Sequence, residues 1–170
     1  MGSVDATKLI RDYELNTRLI QQFSEDITDE EGVLQMGFEA NSFNWVLGHI
    51  LSRRSSALDL LGQGTLWPDQ VDSLYCTGSQ PIREVLKGLS MEELRQYMQH
   101  SIRCLRDGLT TASQAFLEEE VVTDRGKKPR GEHIQGLHWH ETYHIGQLEM
   151  LRGLIDAHRQ AHAEIEDWEV

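Results

Sequence analysis

The sequence predicts an all-α protein, a four-helix bundle with a long crossover between its second and third helices. Three observations carry this. Apolar residues recur at helical spacing in four long segments, and no segment alternates apolar and polar residues between turn signals. One long connection holding Gly62, Gly64, Pro68, Asp69 and Gly78 separates the second segment from the third. At 170 residues the chain is long enough for a single sizeable core, so residues 1–170 are expected to form one domain.

The first helix is expected near residues 4–26, where Leu9, Ile10, Tyr13, Ile20 and Phe23 recur at roughly helical spacing. Asn41 or Ser42 can cap the second. Phe43, Leu47, Ile50, Leu51, Leu58 and Leu61 form its buried stripe, and Gly62 is placed to end it. The connection from Gly62 to Gln80 can run the length of a bundle, which implies a crossover rather than a tight turn. A short helical piece is expected from Pro81 to about Lys87. Ser90-Met91-Glu92-Glu93 then reads as a capping box opening the third helix, with Leu94, Met98, Ile102, Leu105 and Leu109 inside. The fourth is expected from about Glu132 to Arg159, with Leu137, Leu148, Leu151 and Ile155 on one face. No sheet is expected.

The formal charge of −12 is spread along the chain and repels phosphate backbones, which argues against a nucleic-acid partner. The one basic cluster, Arg125, Lys127, Lys128 and Arg130, is short and reads as a solvated loop. Cys76 and Cys104 lie far apart with no C-x-x-C pairing, which suits a reducing compartment. No apolar run approaches the roughly 20 residues of a membrane span. The N-terminus lacks a signal-peptide apolar region, and Ala6 stands where a myristoylation site needs Ser or Thr. A cytoplasmic protein without a membrane partner is expected.

The chemistry concentrates in His140-Glu141-Thr142-Tyr143-His144, whose letters fit H-E-x-x-H. Histidines four apart on a helix are neighbours, about 5–6 Å between Cβ atoms, and can share a metal ion. His140 and His144 fall on one face with Leu137, Gln147, Leu148 and Leu151, so both imidazoles are expected to point into the bundle. Buried polar groups need partners; a metal ion or a hydrogen-bonded core pair would each supply them. A second pair at this spacing, His158 and His162, lies past the last core leucines, where the helix should be solvated or fraying.

A zinc site with an open position usually has three protein ligands. His49 is the best third candidate: it sits at the edge of the second helix's stripe, beside Gly48, which permits close helix approach. His100, His133 and His138 compete with it. A zinc metallopeptidase is a minor alternative. The extended metzincin pattern needs Gly and His where Gln147 and Met150 stand, and a thermolysin-like ligand would have to be Glu164 or Glu166 in the terminal tail. Such enzymes also present substrate along a sheet edge. Glu141, the would-be general base, is about 100° around the helix from His140.

Leu47-Gly48-His49 and His140-x-x-x-His144-x-Gly146-Gln147 resemble the DinB/YfiT-like superfamily, and helix count, crossover and ligand order agree along nearly the whole chain. The resemblance implies a four-helix bundle in which His49, His140 and His144 bind a divalent metal, with zinc or nickel expected first. It implies no peptidase activity and no DNA binding. Members with assigned activity include S-transferases and isomerases that use a low-molecular-weight thiol (bacillithiol, mycothiol or glutathione) and metal-dependent hydrolases; dimers are common. The expectation is therefore a metal-dependent enzyme that activates a thiol or water against a small-molecule substrate, with a homodimer as the expected assembly. The alternative is a non-catalytic metal-binding or stress-related bundle. Around the site, Glu141 is the candidate catalytic residue, and Arg53, Gln147 and Trp45 are candidate substrate-binding residues.

Overall fold

In a computed structural model of the chain, residues 4–35 and 40–166 are described, with side chains to residue 163. Met1-Gly2 and the side chains of Glu164 and Glu166 lie outside that description.

Each long helix begins where a side chain can take up orphan amide protons. Asp5 accepts from the Lys8 amide at the start of α1 (Ala6–Ser24). Thr28 and Glu31 form a capping box around one short turn of helix, α2 (Asp29–Gly32). Ser42 accepts from the Trp45 amide and opens α3 (Phe43–Leu60), which ends at Gly62 in the left-handed region, φ +70°. The expected Ser90–Glu93 box opens α5 (Met91–Thr111), with both reciprocal bonds formed. The last long helix, α7, spans Arg130–Glu166.

α1 packs against α5 and α7, and α3 against the same two, so α1 and α3 sit on one diagonal of the bundle. The core between them includes Tyr13, Ile20, Leu47, Ile50, Leu51, Leu94, Leu105, Leu148 and Ile155. The fold is the expected all-α four-helix bundle, and among the described residues no helix is long and apolar enough to cross a membrane.

The structure departs from expectation in the connections. The crossover carries a helix of its own, α4 (Asp69–Tyr75), and only Val85–Lys87 of the expected 81–87 piece is helical, as a single 3-10 turn. A short helix, α6 (Gln114–Glu118), follows α5. The expectation of no sheet was wrong. Strands β1 (Glu120–Thr123) and β2 (Gly126–Pro129) pair antiparallel, with Gly126 at φ +94° in the turn. Four-residue strands reading Glu-Val-Val-Thr and Gly-Lys-Lys-Pro are too short and too polar for alternation to reveal them. The basic cluster is this hairpin. Lys127 pairs with Glu120, while Arg130 bonds the Leu60 and Phe116 carbonyls and Glu119.

α7 also runs past the expected end near Arg159. Arg152 and Arg159 reach across to Asp26, and Arg159 to Glu31, clamping the helix to the α1–α2 corner. Here the His158 and His162 rings lie tilted with centroids 4.0 Å apart, and no third ligand joins them among the described residues.

Candidate metal centre

His49 comes from α3, and His140 and His144 from α7, the two helices that meet across this side of the bundle. One ring nitrogen of each lies within 4.8 Å of the others. His49 is 3% exposed and His144 7%, whereas His140 is half-buried. Among the described residues no other group of three His, Cys, Asp or Glu side chains converges this way.

Two of the imidazoles are held by their far nitrogens. His49 Nδ1 lies 2.7 Å from the Tyr75 carbonyl, and His144 Nδ1 lies 2.7 Å from Gln147 Oε1. Carbonyl oxygens only accept, so both Nδ1 atoms carry the proton and both Nε2 lone pairs are bare. His140 Nε2 faces His144 Nε2 at 3.2 Å, while His140 Nδ1 is buried with no partner. Either tautomer of His140 leaves a nitrogen lone pair unsatisfied in this cluster. A divalent cation among the three Nε2 atoms would take up all three lone pairs and leave only the His140 Nδ1 proton without a partner, so the donor set fits one.

The charge state suits a metal as well. Burial first, and then the neighbouring histidines and Arg53, push the pKa of His49 and His140 down to about 4; burial lowers that of His144. Neutral imidazole is the ligating form. Below the ordinary histidine value of about 6.5 the unfolded chain binds protons that the folded metal-free protein refuses, so stability is present above that pH and is lost as pH falls toward 4. Thermal melts of the metal-free protein between pH 7 and 4 should show this loss, and His49→Ala should flatten it.

The crossover contributes the anchor for His49. Tyr75 ends α4, and its ring packs directly against Gly48: a Cβ there would stand 2.1 Å from Tyr75 Cδ1. Tyr75 Oη donates to Asn44 Oδ1 and accepts the Leu89 amide, tying the strap down at both ends. Gly48→Ala is therefore expected to cost about 1–3 kcal/mol by overpacking. It should also weaken metal binding, because moving Tyr75 moves the carbonyl that orients His49. Urea unfolding and competition with a chromophoric chelator check the two effects.

Gln147 lies against the triad as the acceptor for His144 Nδ1, and Gln147→Leu should lower metal affinity about 10–100-fold while leaving the fold intact. Trp45 stacks on His49 with ring planes 5° apart and donates Nε1 to Ser79, so it braces the ligand from behind. Glu141 is 1% exposed, and Arg54 takes both of its oxygens, at 2.8 and 2.7 Å. Arg54 also bonds Ser101 and Thr17, which joins all four long helices at one buried ion pair. The competing histidines are engaged elsewhere: His133 with the hairpin, His138 with Asn16, and His100 with Cys104.

Arg53, one turn past His49, opens onto a cavity of about 260 Å³ that the three histidines themselves do not line. Its walls include Ser52, Trp67 and Leu137, the last lying one turn before His140. Sequence reasoning missed the Tyr75 carbonyl, since a backbone acceptor has no residue signature. It also missed Arg54, although that residue falls in register between Leu51 and Leu58 on the buried stripe.

Fold and site together define a class: a four-helix bundle whose second and last long helices bring three histidines into a cluster able to chelate a metal. The DinB superfamily profile matches residues 12–148, and the chain belongs to that superfamily. A conserved protein of Enterococcus faecalis has a similar solved structure, with a TM-score of 0.71 at 12% identity, covering 92% of this chain and 99% of that one. At that identity the likeness is one of fold. No curated protein matches the chain.

Proposed function

We propose that the protein is a metal-dependent enzyme in which His49, His140 and His144 hold one divalent ion beside a small-molecule pocket. The observation that carries this reading is the convergence of three imidazoles, two with their outer nitrogens fixed; a cavity reached through Arg53, one turn from His49, supports the small-molecule part. Such an ion supplies Lewis acidity, lowering the pKa of a thiol or water so that a nucleophile exists at neutral pH. The chain's own residues do the rest: Tyr75 and Gln147 fix ligand orientation, Trp45 backs His49, and Arg53 faces the substrate side. Zinc and nickel both suit three imidazoles.

Glu141 has a structural role in this reading. Its carboxylate is buried and each oxygen accepts a bond from Arg54, which supports a structural role over that of a base. This pairing speaks against the metallopeptidase alternative, which needs Glu141 as its base.

The competing reading is a non-catalytic metal-binding protein. Cobalt(II) substitution separates the two. A thiol such as 2-mercaptoethanol, added to the cobalt protein, should produce a thiolate-to-cobalt charge-transfer band. A spectrum unchanged by thiol or azide would mean a closed site and would favour the structural role.

A further inference from the structure

The cavity beside the triad has charged walls whose groups are not satisfied by one another. Arg53 makes one long hydrogen bond, 3.3 Å to Ser52 Oγ, and its buried Nε has no partner. Neither Arg53 nor Arg125 forms an ion pair among the described residues, although Asp59, Asp69, Asp72 and Asp124 line the same space. Of these four, Asp72 is engaged by Trp67 Nε1. A buried guanidinium Nε–H left without an acceptor is costly unless a ligand supplies one.

The hairpin that the sequence concealed is what brings Arg125 here. Thr123 Oγ1 accepts the Arg125 amide, His133 Nδ1 lies 3.3 Å from the same hydroxyl, and His133 Nε2 lies 3.3 Å from the Val121 carbonyl. α7 thus grips the hairpin through His133 and sets its tip over the cavity. Arg53 lies one turn past His49 on α3, and Leu137, one turn before His140 on α7, lines the same cavity, which places the Arg53 end of it on the triad's side. Asp59 is on the same helix as Arg53 but six residues farther from His49, about 9 Å along the axis. A doubly anionic ligand would meet more carboxylates than arginines, and a plain cation would leave Arg53 unsatisfied.

We infer that this cavity takes a small zwitterion, its carboxylate held between Arg53 and Arg125 near the metal site and its ammonium group toward Asp59. The inference rests on the proposed metal reading only for what the ligand would lie against; the cavity's charges stand without it. It makes Arg125 a specificity residue and gives the hairpin a role as one wall of the substrate site.

Three probes of matched length test the pattern by titration calorimetry on the full chain, with and without zinc: glutarate, 5-aminopentanoate and pentane-1,5-diamine. The expected result is that 5-aminopentanoate binds about tenfold more tightly than either of the others, one charge-assisted contact being worth at least that much. Arg125→Ala, on an exposed side chain where folding is not at risk, should remove that advantage over the diamine. Asp59→Asn should remove the advantage over glutarate. Equal binding of glutarate and 5-aminopentanoate, an unchanged affinity in Arg125→Ala, or no heat from any probe at millimolar concentration overturns the inference. The metal-free titration reads the cavity alone. Failure there leaves the triad standing, and loss of zinc binding leaves the cavity result standing.

Discussion

Replacing Glu141 by alanine is expected to cost about 3–5 kcal/mol of stability, the largest effect of any single polar substitution in this chain. The reason lies in what remains. Arg54 is fully buried, and without Glu141 its charge has only the Thr17 and Ser101 hydroxyls. A cation stripped of its counter-ion in the core is far worse than no ion pair at all. For a domain of this size each kcal/mol moves the melting midpoint by about 2–4 °C, so the drop should be on the order of 10 °C. The double variant Arg54→Met, Glu141→Leu should recover most of the loss, because apolar residues of similar volume often replace a buried pair without penalty. Thermal or urea unfolding reads both results. An unchanged midpoint in Glu141→Ala would return this residue to the catalytic role its motif suggests. The pair also bears on function: Glu141 lies between the two α7 histidines and Arg54 five residues past His49, so the bond fixes the register in which α3 and α7 present their imidazoles.

His144→Ala should abolish the stabilisation that zinc gives. A ligand that binds only the folded state adds about 2.7 kcal/mol at a hundredfold excess over its dissociation constant and about 4.1 at a thousandfold. The wild-type protein should therefore melt several degrees higher with zinc than after chelation. In His144→Ala the two curves should coincide, since a lone His49–His140 pair lacks the third donor and Gln147 has nothing left to orient. The metal-free midpoint of this variant should shift far less than that of Glu141→Ala, because no buried charge is exposed. A zinc-dependent rise that survives in His144→Ala would place the ion elsewhere.

The four long helices were legible because their signals are local: Ser42 and Ser90 cap, Gly62 stops, and leucines repeat at helical spacing. Long-range contacts reach the predicted end of α7, where Asp26 and Glu31 pair with Arg159, and the helix continues past it. The hairpin was illegible, being too short to show a period, and with it went any sign that Arg125 lines the cavity. The three histidines could be nominated from spacing and resemblance, but spacing cannot show which nitrogens are held. That depends on the Tyr75 carbonyl, which a folded crossover delivers 26 residues away from His49. Arg54 carried a readable signal, an arginine in core register, whose meaning became clear only when Glu141 appeared opposite it.

The most direct test of the metal centre is X-ray absorption of the zinc-loaded protein, compared with His49→Ala. Three imidazole ligands in the wild type and two or none in the variant are expected, with Zn–N distances of about 2.0–2.1 Å. Two or fewer imidazoles in the wild type, a sulfur ligand, or an imidazole count unchanged by the loss of His49 would contradict a centre built from these three helix-borne histidines.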